Sequence, residues 1–246
     1  MDIIGQGATT TIYRDGDKAL KLYANAPHDE ADNEALRQRF AYGTGLPVPA
    51  VYGVRRLGDK AVVLEMEYID GHPIMRHGMG EDESRDAIDI LVRLQCDVHK
   101  VCARGLPKQT DRIARKIKDT PHLDDPMKGK LLSLLTRLDD GRDCLCHGDF
   151  HPLNIIFDGS RHWIIDWVDA TSGSPLADAC RTYLIFMQHI SPLADDYLRL
   201  FCKETGMEQE DALAWLPVIA AARLGENMDG KSRKTLLEIL QKSLEA

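Results

Sequence analysis

The sequence holds no long apolar run. Its longest, AWLPVIAAA at 214–222, is far too short to span a membrane. The first ten residues, MDIIGQGATT, carry no basic-then-apolar signal segment, and there are no repeats or low-complexity tracts. Basic residues are not in excess: 31 Lys and Arg stand against 39 Asp and Glu, a net charge of −8. That balance argues against bulk nucleic-acid binding, which needs a basic footprint, without forbidding a cationic ligand. The expectation is a cytoplasmic protein with neither membrane nor nucleic acid as partner, and nothing in the composition sets an oligomeric state. The six cysteines at 96, 102, 144, 146, 180 and 202 are read as reduced and mostly buried. A serine-hydrolase reading fails for lack of a G-x-S-x-G elbow.

What is present is enough chain, 246 residues, for one large domain or two small lobes with a core that needs no staples. TTTIYR and KALKLY read as strands around the turn signal DGD. Residues 29–42 read as a helix closed by Gly43 and Gly45, and strands follow near 51–56 and along 60–71. The remainder is mainly helical. Ala87, Leu91, Leu94, Val98 and Val101 share one helical face, and Leu131, Leu134, Leu135 and Leu138 form another stripe behind Pro126. Further helices are expected to start near Pro175, Pro192, Glu208 and Lys231. The expected fold is α+β and bilobal: a small β-rich lobe with one helix over 1–70, and a larger, mainly helical lobe over 71–246. A cleft between lobes is where a ligand is expected.

The densest chemistry lies in CLCHGDFHPLNIIFDGSRHWIIDWVDA, Cys144 to Ala170. Asp149 and Asn154 are five apart, and Asp166 returns at the end of a second apolar run after the turn at Asp158-Gly159. Phosphoryl transfer to a hydroxyl needs one carboxylate to position that hydroxyl and oxygen ligands for Mg²⁺ on the nucleotide phosphates. Asp, Asn and a second Asp at this spacing supply those parts. Zinc on Cys144, Cys146, His147 and His151 is the alternative, without standard finger spacing or a partner Cys/His pair.

HGDFHPLNII, IIDWVDA and GSPLADACRTY together resemble the aminoglycoside phosphotransferase and choline kinase superfamily, which has a protein-kinase-like fold. The resemblance spans nearly the whole chain. It implies Asp149 as the catalytic base, Asn154 and Asp166 as Mg²⁺ ligands, His147 as a shaper of the loop and Asp178 as its brace. It also implies a phosphate-binding lysine, Lys21, paired with a helix glutamate. Glu34 is the best match, and Glu30, one turn earlier, is the competitor. LEMEYIDG at 64–71 resembles the hinge between lobes, with Met66 behind the nucleotide base and the backbone of Glu67 and Ile69 bonding it. ATP and GTP are not distinguished by such main-chain contacts.

Gly5 and Gly7 in IGQGATTTIY suit a phosphate-covering loop, with Thr9 to Thr11 as added hydroxyls. The third glycine of G-x-G-x-x-G is absent, and a plain hairpin turn is the alternative. Small-molecule acceptors of two kinds fit the family: cationic amino sugars, or other hydroxyl compounds such as choline, sugars and amino alcohols. Acidic runs at 81–86, 122–125, 194–196 and 207–211 suit a polycation, though such runs are commonly solvated faces. Against them stands 104–118, with six basic residues and one acid, Asp111. There Ile113 and Ile117 would face the core, leaving Arg112, Arg115 and Lys116 as a solvated face or an attraction for an anionic acceptor. The preferred reading is a small-molecule hydroxyl kinase rather than a resistance enzyme. Against a protein kinase, no A-P-E-like segment follows Asp166 in this chain, and a silent nucleotide-binding module would be free to lose the residues kept here.

Overall fold

Alternating apolar residues and turn chemistry build a sheet from the first part of the chain. The computed structural model describes residues 2–7, 10–24, 29–58, 61–226, 228 and 230–245. Strands β1 (Asp2–Gln6), β2 (Thr10–Asp15), β3 (Lys18–Ala24), β4 (Val51–Leu57) and β5 (Ala61–Glu67) form one antiparallel sheet in the order β1-β2-β3-β5-β4. In the central strand, β3, Lys21 lies in register with Ile12 on β2 and Leu64 on β5.

Helix α1 (Glu30–Gly43) packs on β4 and β5. Its buried stripe is Ala31, Glu34, Ala35, Gln38 and Ala41, at the three- and four-residue spacing of one helical face. Alanines let this face sit close to Tyr23, Val62 and Leu64 in an apolar cluster. The same stripe carries Glu34 inward.

Five short strands follow: β6 (His72–Pro73), β7 (Cys144–Cys146), β8 (Ile155–Phe157), β9 (His162–Ile164) and β10 (Thr171–Gly173). β6, β8 and β9 make a three-stranded antiparallel sheet, and β7 pairs with β10. Gly71 is required where β6 meets β8, because a Cβ there would stand 2.4 Å from the Phe157 carbonyl oxygen.

The helices are α2 (Glu81–His99), α3 (Gln109–Asp119), α4 (Asp125–Leu138), α5 (Pro175–His189), α6 (Ala194–Thr205), α7 (Gln209–Leu213), α8 (Leu216–Arg223) and α9 (Gly230–Glu245). Pro126 is the second residue of α4, after Asp125, and Asp124 caps the helix by accepting from the Met127 N–H at 2.8 Å. Pro192 sits in a 3-10 turn just before α6. Ile113 and Ile117 of α3, Leu131 and Leu135 of α4, Trp215, Val218 of α8 and Leu236 of α9 share one buried core. Among the described residues no helix is long and apolar enough to cross a membrane.

The fold is thus α+β, an antiparallel sheet with one helix followed by a mainly helical remainder. The chain divides into two compact units, residues 1–87 with 152–169, and residues 88–151 with 170–246. These units are not the lobes 1–70 and 71–246 expected from the sequence. The pairing of β6 with β8 and the packing of the Trp167–Asp169 turn on α1 group the later segment with the N-terminal sheet.

Candidate active site

In the first unit, the Lys21 ammonium lies 2.9 Å from both carboxylate oxygens of Glu34 and 2.8 Å from Asp166 Oδ1. Lys21 and Glu34 are both buried, so the pair stands in a medium of low dielectric, where opposite charges hold each other firmly. Burial alone would pull the Lys21 pKa down; the charges of Glu34 and Asp166 outweigh it and hold the ammonium above its ordinary range. The Tyr23 hydroxyl donates to Glu34 as well. Glu30 precedes Glu34 by one turn, and no contact of it with Lys21 is found among the described residues.

Asp166 adopts φ 66, the one non-glycine residue with positive φ among those described. This left-handed conformation is open to Asp and Asn but strained for most side chains. Asn154 is buried at the end of a 3-10 turn, Pro152–Asn154. Its backbone carbonyl accepts from the Ile165 N–H at 3.0 Å, which ties the residue beside Asp166 to Asn154. A carboxylate and a carboxamide oxygen are hard donors, and Asp166 already attracts one cation, Lys21. By donor chemistry the two side chains suit a hard divalent cation such as Mg²⁺. Arg37 of α1 donates to the Val168 carbonyl at 2.7 Å and fastens the turn that follows Asp166.

The remaining nucleotide-side expectations are placed unevenly. Gly5 lies in β1 opposite Ile12, and the Gly7 N–H donates to the Thr10 carbonyl at 2.8 Å, so that amide is used within the hairpin. Thr9 lies outside the described residues. Met66 ends up beside Gln38, whose amide reaches its sulfur at 3.6 Å. The Glu67 N–H donates to the Ala50 carbonyl at 2.8 Å, so a nucleotide base could be met there only by the carbonyl. The Ile69 N–H has no partner among the described residues.

In the second unit, His147, Gly148 and Asp149 form a turn held by one buried carboxylate. Asp178, in the first turn of α5, accepts from the Gly148 N–H at 2.8 Å and the His147 N–H at 3.3 Å. His99 Nε2 lies 2.9 Å from the same carboxylate, and Gln95 Nε2 lies 3.3 Å from it. Burial would raise the Asp178 pKa; the His99 contact and the backbone donors bring it below the ordinary carboxylate value. The Asp149 N–H in turn donates to His147 Nδ1 at 3.3 Å. Cys146 Sγ, a His99 nitrogen and an Asp178 oxygen lie within 4.8 Å of one another. Burial raises the Cys146 thiol pKa, the thiol reaches the Ser174 carbonyl at 3.5 Å rather than its two neighbours, and Asp178 is already engaged by four donors, so Asp178 with His99 is a hydrogen-bonded brace.

The Asp149 carboxylate lies 3.3 Å from His151 Nε2 and 3.4 Å from Arg181 Nη2. Burial would push its pKa up, yet the His151 hydrogen bond and the Arg181 charge hold it well below the usual carboxylate range. Arg181 also donates to the Gly148 carbonyl at 3.2 Å and to Glu226. Lys116 and Arg223 converge on the same Glu226. The basic stretch 104–118 therefore divides. Arg104 and Lys108 clamp Asp143, whose pKa they push down to about 2, Lys116 serves Glu226, and Arg115 is exposed.

Sequence reasoning missed Gln95, His99, Arg181, Arg223 and Glu226 as members of this site. Arg181 follows Asp178 by three residues on α5 and so shares its face, a signal that was available. Glu226 sits just past α8 in a stretch with no periodicity to mark it.

The fold recurs in small-molecule kinases. A thermostable variant of aminoglycoside phosphotransferase APH(4)-Ia, solved with ADP and hygromycin B, superposes with a TM-score of 0.72 at 17% identity, over 99% of this chain and 92% of that one. Choline kinase LicA from Streptococcus pneumoniae gives 0.69 at 16% identity, over 98% and 91%. A choline/ethanolamine kinase family protein from Mesorhizobium loti gives 0.70 at 18%, over 100% and 88%. Residues 3–215 match the phosphotransferase enzyme family, APH, and the chain belongs to that family. Acyl-CoA dehydrogenase family member 11 of Gallus gallus is 26% identical over 205 residues, which cover 71% of this chain and 26% of that protein. Its counterpart in Rattus norvegicus is 23% identical over 252 residues, covering 83% and 32%. The chain thus spans about a quarter to a third of the length of these curated relatives.

Proposed function

We propose that this phosphotransferase moves the γ-phosphoryl group of ATP or GTP to a hydroxyl of a small molecule. The observation that carries this reading is the buried Lys21–Glu34 pair with Asp166 on the same ammonium. Lys21 would meet the α- and β-phosphates, held in place by Glu34. Asn154 and Asp166 would hold Mg²⁺, which when bound neutralises charge on the phosphates. Gly5 and Gly7 would cover the phosphates, and Met66, Glu67 and Ile69 would meet the base. In this reading 1–70 is the nucleotide-binding lobe and 71–246, which carries the Mg²⁺ ligands and Asp149, is the catalytic and substrate-binding lobe.

Asp149 would orient the acceptor hydroxyl. The acceptor oxygen forms a bond to the γ-phosphorus, the bond from that phosphorus to the bridging oxygen breaks, and the hydroxyl proton passes to Asp149. The products are a phosphomonoester, the nucleoside diphosphate and one proton. A carboxylate held so far below its usual pKa is a weak base, so its part is positioning first and proton acceptance late. His147 and Asp178 would hold the loop that presents it. The stretch after Asp166 is taken up by a 3-10 turn and β10 before α5 begins, which leaves little room for a peptide-binding segment and favours a small acceptor over a protein.

The test is Mg²⁺-dependent consumption of ATP and of GTP against aminoglycosides, choline-like alcohols, amino acids and sugars. Asp149→Asn should lower turnover about 10²–10⁴-fold while nucleotide affinity stays nearly intact. A variant with full activity would remove Asp149 from the reaction.

A further inference from the structure

Glu226 is saturated with cations. Its Oε1 is reached by Lys116 Nζ at 2.8 Å and Arg181 Nη1 at 3.1 Å, and its Oε2 by Arg181 Nη2 at 3.1 Å and Arg223 Nη1 at 3.0 Å. A carboxylate offers about four lone-pair sites, and four N–H donors already occupy them. No capacity is left there for an amine of an acceptor.

The balance of charge points the same way. Lys116, Arg181 and Arg223 bring three positive charges to two carboxylates, Asp149 and Glu226. The surplus is also open. Arg223 uses Nε on Gln188 and Nη1 on Glu226, Nη2 has no partner among the described residues, and the side chain is 15% exposed. The Lys116 side chain is 28% exposed. Burial first, and the neighbouring Arg181 after it, push the Arg223 pKa down to about 10.

The acidic runs do not offset this. Asp124 caps α4, Asp195 accepts from the Tyr183 hydroxyl at 3.2 Å, and residues 81–83 and 208–211 are exposed. All members of the cluster, with Asp149, lie in the second compact unit.

We propose that the acceptor is an oxyanion-bearing hydroxyl compound, whose carboxylate or phosphate is received by Arg223 and Lys116 while its hydroxyl is presented to Asp149. This inference deepens the kinase reading above and rests on Asp149 being the residue that orients the hydroxyl. Arg supplies a planar fork for an oxyanion and Lys a mobile point charge, a division suited to fixing one group in one orientation.

The experiment is calorimetric titration of the full chain, saturated with Mg-ADP, with inorganic phosphate, glycolate and glycerol 3-phosphate, and with glycerol, choline and kanamycin as neutral and cationic counterparts. Wild type, Arg223→Met and Lys116→Met are compared, each checked for folding by circular dichroism. The expected result is binding of at least one anion, weakened at least tenfold in either variant and weakened by salt. Glycolate against glycerol 3-phosphate separates a carboxylate from a phosphate. Binding confined to choline, kanamycin or glycerol, binding of nothing in the panel, or anion binding indifferent to both substitutions would overturn the inference. Failure of the kinase reading is separate, since it appears as no Mg-ADP binding and no nucleotide turnover with any acceptor.

Discussion

Glu226 shows how one side chain can set a pH dependence. Burial would raise its pKa, but Arg181, Lys116 and Arg223 together push it down to about 2. The unfolded chain titrates this group near its ordinary value of about 4.3. A carboxylate depressed in the folded state stabilises above the unfolded pKa, and that stability is lost as pH falls through the folded one. Wild type should therefore exceed Glu226→Gln by on the order of 1–3 kcal/mol near neutral pH, and the gap should shrink steadily from about pH 4.5 towards pH 2. Thermal midpoints of the two proteins over that range decide it, and a constant gap would show that the carboxylate charge is not what matters. Glu226 itself was not legible in the sequence, because its partners come from α3, α5 and α8, and no local pattern announces a junction of three helices. Asp149, Asn154 and Asp166 were legible as a group because they are close in sequence.

At the scale of elements, the long strands and helices were readable because their periodicity extends over many residues. β6 and β10 were not, since strands of two and three residues have no period to read. Their existence rests on close approach instead. Gly71→Ala should cost about 1–3 kcal/mol, because its methyl meets the Phe157 carbonyl oxygen at 2.4 Å and the Ile156 methyl at 2.8 Å. Gly53→Ala is the control, since a Cβ there meets nothing within 4 Å. Equal midpoints for the two variants would mean that β6 yields without loss. α1 is a different case: its inward face carries Glu34 and Gln38 among alanines, so amphipathicity is faint there although the helix itself was expected. Lys21 and Tyr23 on β3 supply the partners that let Glu34 be buried.

For the whole molecule, the consequential feature is that the first compact unit is made from two separated stretches of chain. Lys21 and Glu34 come from one stretch and Asp166 from the other. Removing one partner of a buried ion pair costs about 3–5 kcal/mol. Glu34→Gln should therefore loosen residues 18–67 and 155–169 together in amide hydrogen exchange, while α3, α4 and α8 keep their protection. Loss confined to residues 18–43 would show that the two stretches do not open as one. The same discontinuity has a consequence during synthesis. When Ala87 has been made, the unit still waits for about eighty more residues before Asp169 exists. At ribosomal rates of about 5–20 residues per second, that interval is roughly 4–16 s. For that time the nascent sheet would hold its inward-facing ammonium beside Glu34 with Asp166 not yet translated, so elongation speed between residues 88 and 169 would govern how long an incomplete fold is exposed to the cell's chaperones and proteases.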